Sequence, residues 1–208
     1  MAKEISFKGY SIVSCGTMRP ELEHLKKTGF LDADKILYTA PGLHDKPKLL
    51  EKQLRRQLKS TRKFSEKVIV VYGKRCYLDM NDPNKLVETI MRDEVETATR
   101  IQAGNCIDFL ADKEEREKIQ GNRKVYWLTP GWLIYWKQIF KDWDVAMANE
   151  TFPQNDVAIL LDPLDIFNDY AENFPEKLLE FSDWMQIGIE PYPVSLDRFK
   201  MLLANEVK

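Results

Sequence analysis

Val68-Ile69-Val70-Val71-Tyr72-Gly73 is the stretch from which the fold is read. A short apolar run with a charged approach, closed by a glycine, fits a strand buried on both faces, as in the middle of a parallel sheet. Cys76 then lies just past the carboxyl end of that strand, the rim where open α/β sheets bind ligands. Two other cysteines repeat the placement: Cys15 follows Tyr10-Ser11-Ile12-Val13, and Cys106 follows Thr99-Arg100-Ile101 by way of Gly104-Asn105. Thiols from three strand ends are therefore expected on one rim.

Upstream, a strand around Phe7 to Ser14 leads through Cys15-Gly16-Thr17 to Pro20, which opens a helix carrying Leu22 and Leu25 and stopped by Gly29. Lys35 to Tyr38 reads as a second strand ending at Ala40-Pro41-Gly42-Leu43-His44. Asp45 is the expected N-cap of a helix with Pro47 in its first turn and a stripe of Leu49, Leu50, Leu54 and Leu58. Downstream, Asn81-Asp82-Pro83 is expected to open a helix with Leu86, Val87 and Ile90. A weaker strand spans about Ala98 to Gln102, and helix is expected from Ile107 through Leu110. Lys124 to Leu128 is a fifth strand, broken by Thr129-Pro130-Gly131-Trp132 into a long aromatic-rich helix. Val157 to Leu161 and Gln186 to Ile189 complete the strands, and Ser195 is expected to cap a terminal helix holding Phe199, Leu202 and Leu203. Strands alternating with helices imply an α/β fold over residues 1–208. It is expected to be a single domain, a mostly parallel twisted sheet with helices on both faces in a Rossmann-like three-layer arrangement.

Composition narrows the function. With 44% hydrophobic and 31% charged residues in 208, the chain has no signature of disorder. A net charge of -2 argues against general nucleic-acid binding. The start, Met1-Ala2-Lys3-Glu4-Ile5-Ser6, lacks the apolar core of a secretory signal, and no apolar stretch approaches the roughly 18 residues needed to span a bilayer. A cytoplasmic protein without membrane association is expected. Three cysteines in a reducing compartment are a poor disulfide framework, so they either fill apolar space or do chemistry.

Thiolates favour zinc, copper(I) or iron–sulfur centres, so Cys15, Cys76 and Cys106 are candidate metal ligands, with His44 at another strand end as a fourth. His44 is also a candidate general base, whereas His24 falls on a polar helix face. Gly16, Gly73, Thr129, Gly131 and Trp132 occupy strand-end turns suited to holding a cofactor, and helix N–H groups after Thr129 could receive an anion. Trp132, Tyr135, Trp136 and Trp143 form a stripe that is core or the wall of a flat cofactor. The basic face from Lys46 to Lys63 is a solvated surface or a dock for an acidic protein partner. No P-loop, GxSxG, HExxH or GxGxxG pattern occurs.

Taken together, Ser14-Cys15-Gly16, Arg19-Pro20-Glu21, Leu43 to Leu49, Val71-Tyr72-Gly73 with Cys76, Asn105-Cys106-Ile107 and Tyr126 to Trp132 resemble an uncharacterised prokaryotic family, domain of unknown function 1638. Its members usually carry cysteines matching Cys15, Cys76 and Cys106 and a histidine matching His44. They occur in anaerobic archaea and bacteria, often beside corrinoid-dependent methyltransferase systems. This chain departs by Asn105, where an acidic residue is common, and by Lys74-Arg75 in place of a glycine-rich turn. The resemblance implies a role in one-carbon or methyl-group metabolism. Joined to the thiols, it gives as the expected function a metal-dependent protein, more an enzyme than a carrier, whose zinc or iron–sulfur centre serves corrinoid-linked methyl transfer on a small-molecule substrate or a corrinoid protein. The alternative is a corrinoid- or nucleotide-binding accessory protein that docks on a methyltransferase. The chain lacks the Asp-x-His-x-x-Gly pattern of ordinary cobalamin-binding domains.

Overall fold

Tyr10–Ser14 (β1) is buried at every position, because it is flanked by parallel strands and covered on both faces. The computed structural model describes residues 5–79, 82 and 85–207. On one side of β1 lies Lys35–Tyr38 (β2) and on the other Lys67–Val71 (β3), followed by the two-residue Thr99–Arg100 (β4). This first sheet has the order β2-β1-β3-β4 and is parallel throughout. Helices Arg19–Lys27 (α1), Pro47–Thr61 (α2) and Val87–Glu94 (α3) make its crossovers. After Lys113–Gln120 (α4), a second parallel sheet follows: Val125–Leu128 (β5), Val157–Asp162 (β6) and Ile189–Pro193 (β7), in that order. Pro130–Ile139 (α5) and Val145–Thr151 (α6) link β5 to β6; Ile166–Asn173 (α7) and Pro175–Met185 (α8) link β6 to β7; Asp197–Ala204 (α9) ends the fold.

The alternation of side chains along each strand divides the apolar residues among three clusters. Val13, Val68 and Val70 meet Leu50, Leu54 and Leu58 of α2 and Ile90 of α3. On the other face Ile12, Ile69 and Val71 enter a core shared with Val157, Ile159 and Leu161 of β6, and with Leu22, Leu25, Phe199 and Leu203. Beyond β6, Leu128 and Leu160 pack with Phe152, Phe181 and Met185. Both sheets thus bury apolar surface in one common core.

The parallel α/β architecture flanked by helices agrees with the sequence pattern, but the strands form two sheets instead of one continuous sheet. The cause is β4, which offers only the pairs Ile69↔Thr99 and Val70↔Arg100 before the chain turns away, so β5 pairs with β6 alone. Several local expectations also change. Asn81 and Pro83 lie outside the described residues, as do Met1 to Glu4, and α3 begins at Val87. The expected helix after Cys106 is one 3₁₀ turn, Ile107–Phe109. Asp45 belongs to a 3₁₀ turn, Leu43–Asp45, and leaves Lys46 to precede α2 without a side-chain cap. The aromatic helix stops at Ile139 after 10 residues. Gln186 adopts a left-handed backbone, φ 55°, that ends α8 and moves β7 on to Ile189–Pro193. Ser195 does accept the Asp197 N–H at 3.2 Å, although Leu196 is the residue next to α9.

In β7 the Val194 N–H reaches the Asp162 carbonyl and the Gly188 carbonyl receives the Ala158 N–H, so even-numbered residues turn toward β6. Pro191 and Pro193 therefore face the outer side of the sheet, where their missing N–H groups break no ladder bond.

Candidate functional site

The carboxyl ends of β1, β2, β3, β4 and β5 are drawn together because glycines let their loops touch. A β-carbon on Gly73 would lie 2.3 Å from the Asn105 α-carbon, and one on Gly16 would lie 2.7 Å from the Thr39 carbonyl oxygen. One on Gly131 would lie 1.8 Å from the Thr17 carbonyl oxygen. Backbone bonds complete the closure between the loops after β3 and β4: Lys74 N–H to Ala103 O, 2.9 Å, and Arg75 N–H to Gly104 O, 2.8 Å. Gly16, Gly73 and Gly131, expected to hold a cofactor, thus serve here as close-approach points between backbones.

Because those loops meet, Cys15, Cys76, Cys106 and His44 line one cavity with Thr17, Leu43, Leu50, Val71, Tyr72, Phe109 and Trp132. Its free volume is about 30 Å³, enough for an ion or a water but far below the roughly 300–1,000 Å³ of sites for drug-sized ligands. The Thr17 hydroxyl donates to the Cys15 sulfur at 3.0 Å. Burial pushes the Cys76 thiol up to about 12, and the neighbouring Cys15 sulfur adds to the rise. Cys106 is raised further, again by burial first and then by the other two sulfurs, against the opposing hydrogen bond from Trp132. His44 faces Trp132 with ring centroids 5.6 Å apart. Loss of water lowers its pKa, and nearby Asp45 partly offsets that. These donors are the soft set that zinc and iron–sulfur centres take. As placed, though, no group of three or more His, Cys, Asp or Glu side chains among the described residues has the spacing of a finished metal site.

Residues 38–203 match a family described as Protein of unknown function (DUF1638). The chain belongs to that family. The matched segment contains His44, Cys76, Cys106 and Trp132, while Cys15 lies ahead of it. No curated protein and no solved structure matches the chain.

Around the thiols of this DUF1638 protein stand polar residues to which the sequence alone assigned no role. Tyr72 is buried against Cys15 and hydrogen-bonded to the Thr39 hydroxyl. Arg100 is 6% exposed and donates to the Tyr72, Ile101 and Ala103 carbonyls at 3.1, 2.7 and 3.2 Å, and to Glu88 at 2.7 Å. One side chain thereby holds the ends of β3 and β4 in place beside Cys76. Glu21 is fully buried with neither carboxylate oxygen hydrogen-bonded. Burial pushes its pKa up to about 8, the Asp162 charge adds to that, and Glu21 in turn bears on Cys106. Signals existed for both: an arginine inside an apolar strand, and Glu21 three positions after Met18 on the face that buries Leu22 and Leu25.

Trp136 packs with Phe181 and Trp184, and Trp143 with Phe140 and Phe152, so of the aromatic stripe only Trp132 reaches the thiols. Thr129 precedes α5 with its hydroxyl buried and unbonded. His24 is exposed. On α2, Arg55 is engaged by Glu51, Asp93 and Glu94 at 2.8 to 2.9 Å, which fastens α2 to α3. Lys48, Lys52 and Lys63 stay exposed. Among the described residues no helix is long and apolar enough to cross a membrane.

Proposed function

We propose that this DUF1638 protein is a cytoplasmic metal-dependent protein whose strand-end cavity takes a soft metal centre through Cys15, Cys76 and Cys106, with His44 as a further donor or as a base; a zinc ion suits the cavity's volume as it stands, whereas an iron–sulfur cluster requires the surrounding loops to part. The observation that carries the reading is that three thiols and an imidazole from four distant segments line a single small cavity. Binding requires the sulfurs to give up their protons and turn inward, since the side chains do not stand at ligating distance from one another in this arrangement. When bound, such a centre would supply Lewis-acid or redox chemistry. The resemblance described above is what points this reading toward corrinoid-linked methyl transfer. A corrinoid ring exceeds the cavity, so on this reading the corrinoid arrives on a partner protein, and the exposed lysines of α2 offer that partner a basic surface.

The test is anaerobic purification followed by elemental analysis and a visible spectrum, for the wild type and for Cys76→Ala and Cys106→Ala. A stoichiometric metal in the wild type that is lost in both variants is the expected result. Wild-type protein without metal after anaerobic reconstitution with zinc and with iron and sulfide, or metal content indifferent to both substitutions, overturns the proposal.

A further inference from the structure

A second cavity of about 290 Å³ backs onto the thiol site. The turn after β1 separates the two, with Cys15 and Thr17 facing one and Gly16 the other. The loop after β2 does the same, through Leu43 and His44 on one side and Thr39, Ala40 and Pro41 on the other. α5 contributes Trp132 to the thiol cavity and Tyr135 and Gln138 to its neighbour. The second cavity thus lies at the carboxyl edge of the first sheet, closed by α1, α2 and α5, a common place for small-molecule sites.

Its lining differs sharply from that of the thiol cavity. Arg19, Arg56, Gln53, Gln57, Gln138, Tyr38 and Tyr135 provide cations and neutral hydrogen-bonding groups and no carboxylate. The Arg19 guanidinium lies over the Tyr38 ring, 4.5 Å from its centre, a cation–π contact that helps hold it at the cavity wall. Glu23, the nearby acid, accepts the Tyr38 hydroxyl at 2.9 Å. Unlike Arg55, neither Arg19 nor Arg56 has an ion-pair partner among the described residues. Gln53 and Gln57 each use one amide atom to secure the strand end, on the Ala40 N–H at 2.8 Å and the Tyr38 carbonyl at 2.9 Å, which stiffens that wall.

We infer that this cavity binds a small polar metabolite through an anionic head group, phosphate or carboxylate, held by Arg19 and Arg56, with the glutamine amides and the Tyr135 hydroxyl meeting its uncharged body. Guanidinium forks match either anion, and the cavity lining holds two of them and no carboxylate. The inference does not depend on a metal in the adjoining cavity.

Calorimetric titration of the full chain with inorganic phosphate, and separately with succinate, tests it. Saturable binding of at least one probe is expected, and the tighter one identifies the head group. Affinity should fall about tenfold or more in the Arg19→Gln, Arg56→Gln double variant. It should stay unchanged in Lys48→Gln, Lys52→Gln, which removes the same charge from the exposed part of α2. Gln138→Trp, which fills the cavity without altering charge, should also abolish binding, and circular dichroism verifies that each variant is folded. Cys76→Ala should bind the probe as the wild type does, which separates this result from the fate of the metal proposal. Failure of both probes to saturate, or equal losses from the lysine and arginine pairs, overturns the inference.

Discussion

The Thr17 carbonyl and the α-carbon of Gly131 approach so closely that a β-carbon on the glycine would fall 1.8 Å from the oxygen. This is where the turn after β1 meets the first turn of α5, and the contact sets Cys15 opposite Trp132. No rotamer change can relieve a clash between a β-carbon and a backbone atom, so Gly131→Ala should separate the two segments. The expected cost is about 3 kcal/mol or more, read as a lower urea midpoint. Gly188→Ala, where a β-carbon meets nothing within 4 Å, should change stability by less than about 0.5 kcal/mol. Equal midpoints for the two variants would contradict the role given to Gly131.

Arg100 should behave as a buried tie. Replacing it with methionine retains apolar bulk but leaves the Tyr72, Ile101 and Ala103 carbonyls without their donor, in a region with little access to water. A loss of about 3 kcal/mol is expected on equilibrium unfolding. Hydrogen exchange should speed up at Lys74 and Arg75, whose N–H groups bond to the loop after β4. If exchange there were unchanged, Arg100 would not be what holds the Cys76 and Cys106 loops together.

Glu21 predicts the direction of the stability profile with pH. Its carboxyl goes from an ordinary 4.5 when unfolded to about 8 when folded. Between those values the native state holds a proton that the unfolded chain has released. Stability from this group is therefore complete below 4.5 and lost as pH rises toward 8, with a contribution on the order of 3 kcal/mol gone by neutral pH. Glu21→Gln should flatten that decline, gaining on the wild type as pH increases. Urea unfolding across this range checks it, and parallel profiles for the two proteins would rule the assignment out.

The centre of each sheet could be read because β3 and β6 are short, nearly uninterrupted runs of aliphatic residues. β2 matches its expected bounds at both ends, and the thiols follow their strands as expected. Periodicity did not disclose that β4 would be too short to receive β5, since its two residues are fixed by the Arg100 carbonyl contacts that follow them. Helices α7 and α8 gave little signal: Phe167, Tyr170, Leu178 and Phe181 are interleaved with acidic residues, and Pro175 divides them. The pattern located the rim where the sulfurs gather. It did not reveal the second cavity, whose arginines come from different helices and look like ordinary surface charge until the chain is folded.

The two prolines on the outer side of β7 bear on how the protein behaves at high concentration. An uncovered border of a sheet invites another chain to extend it, but this one has lost two successive donors to a newcomer. Growth of fibrils from that side is thereby discouraged by covalent structure alone, without a covering helix. Substituting Pro191 and Pro193 with threonine would restore the donors, and the side would then become an exposed template for strand recruitment.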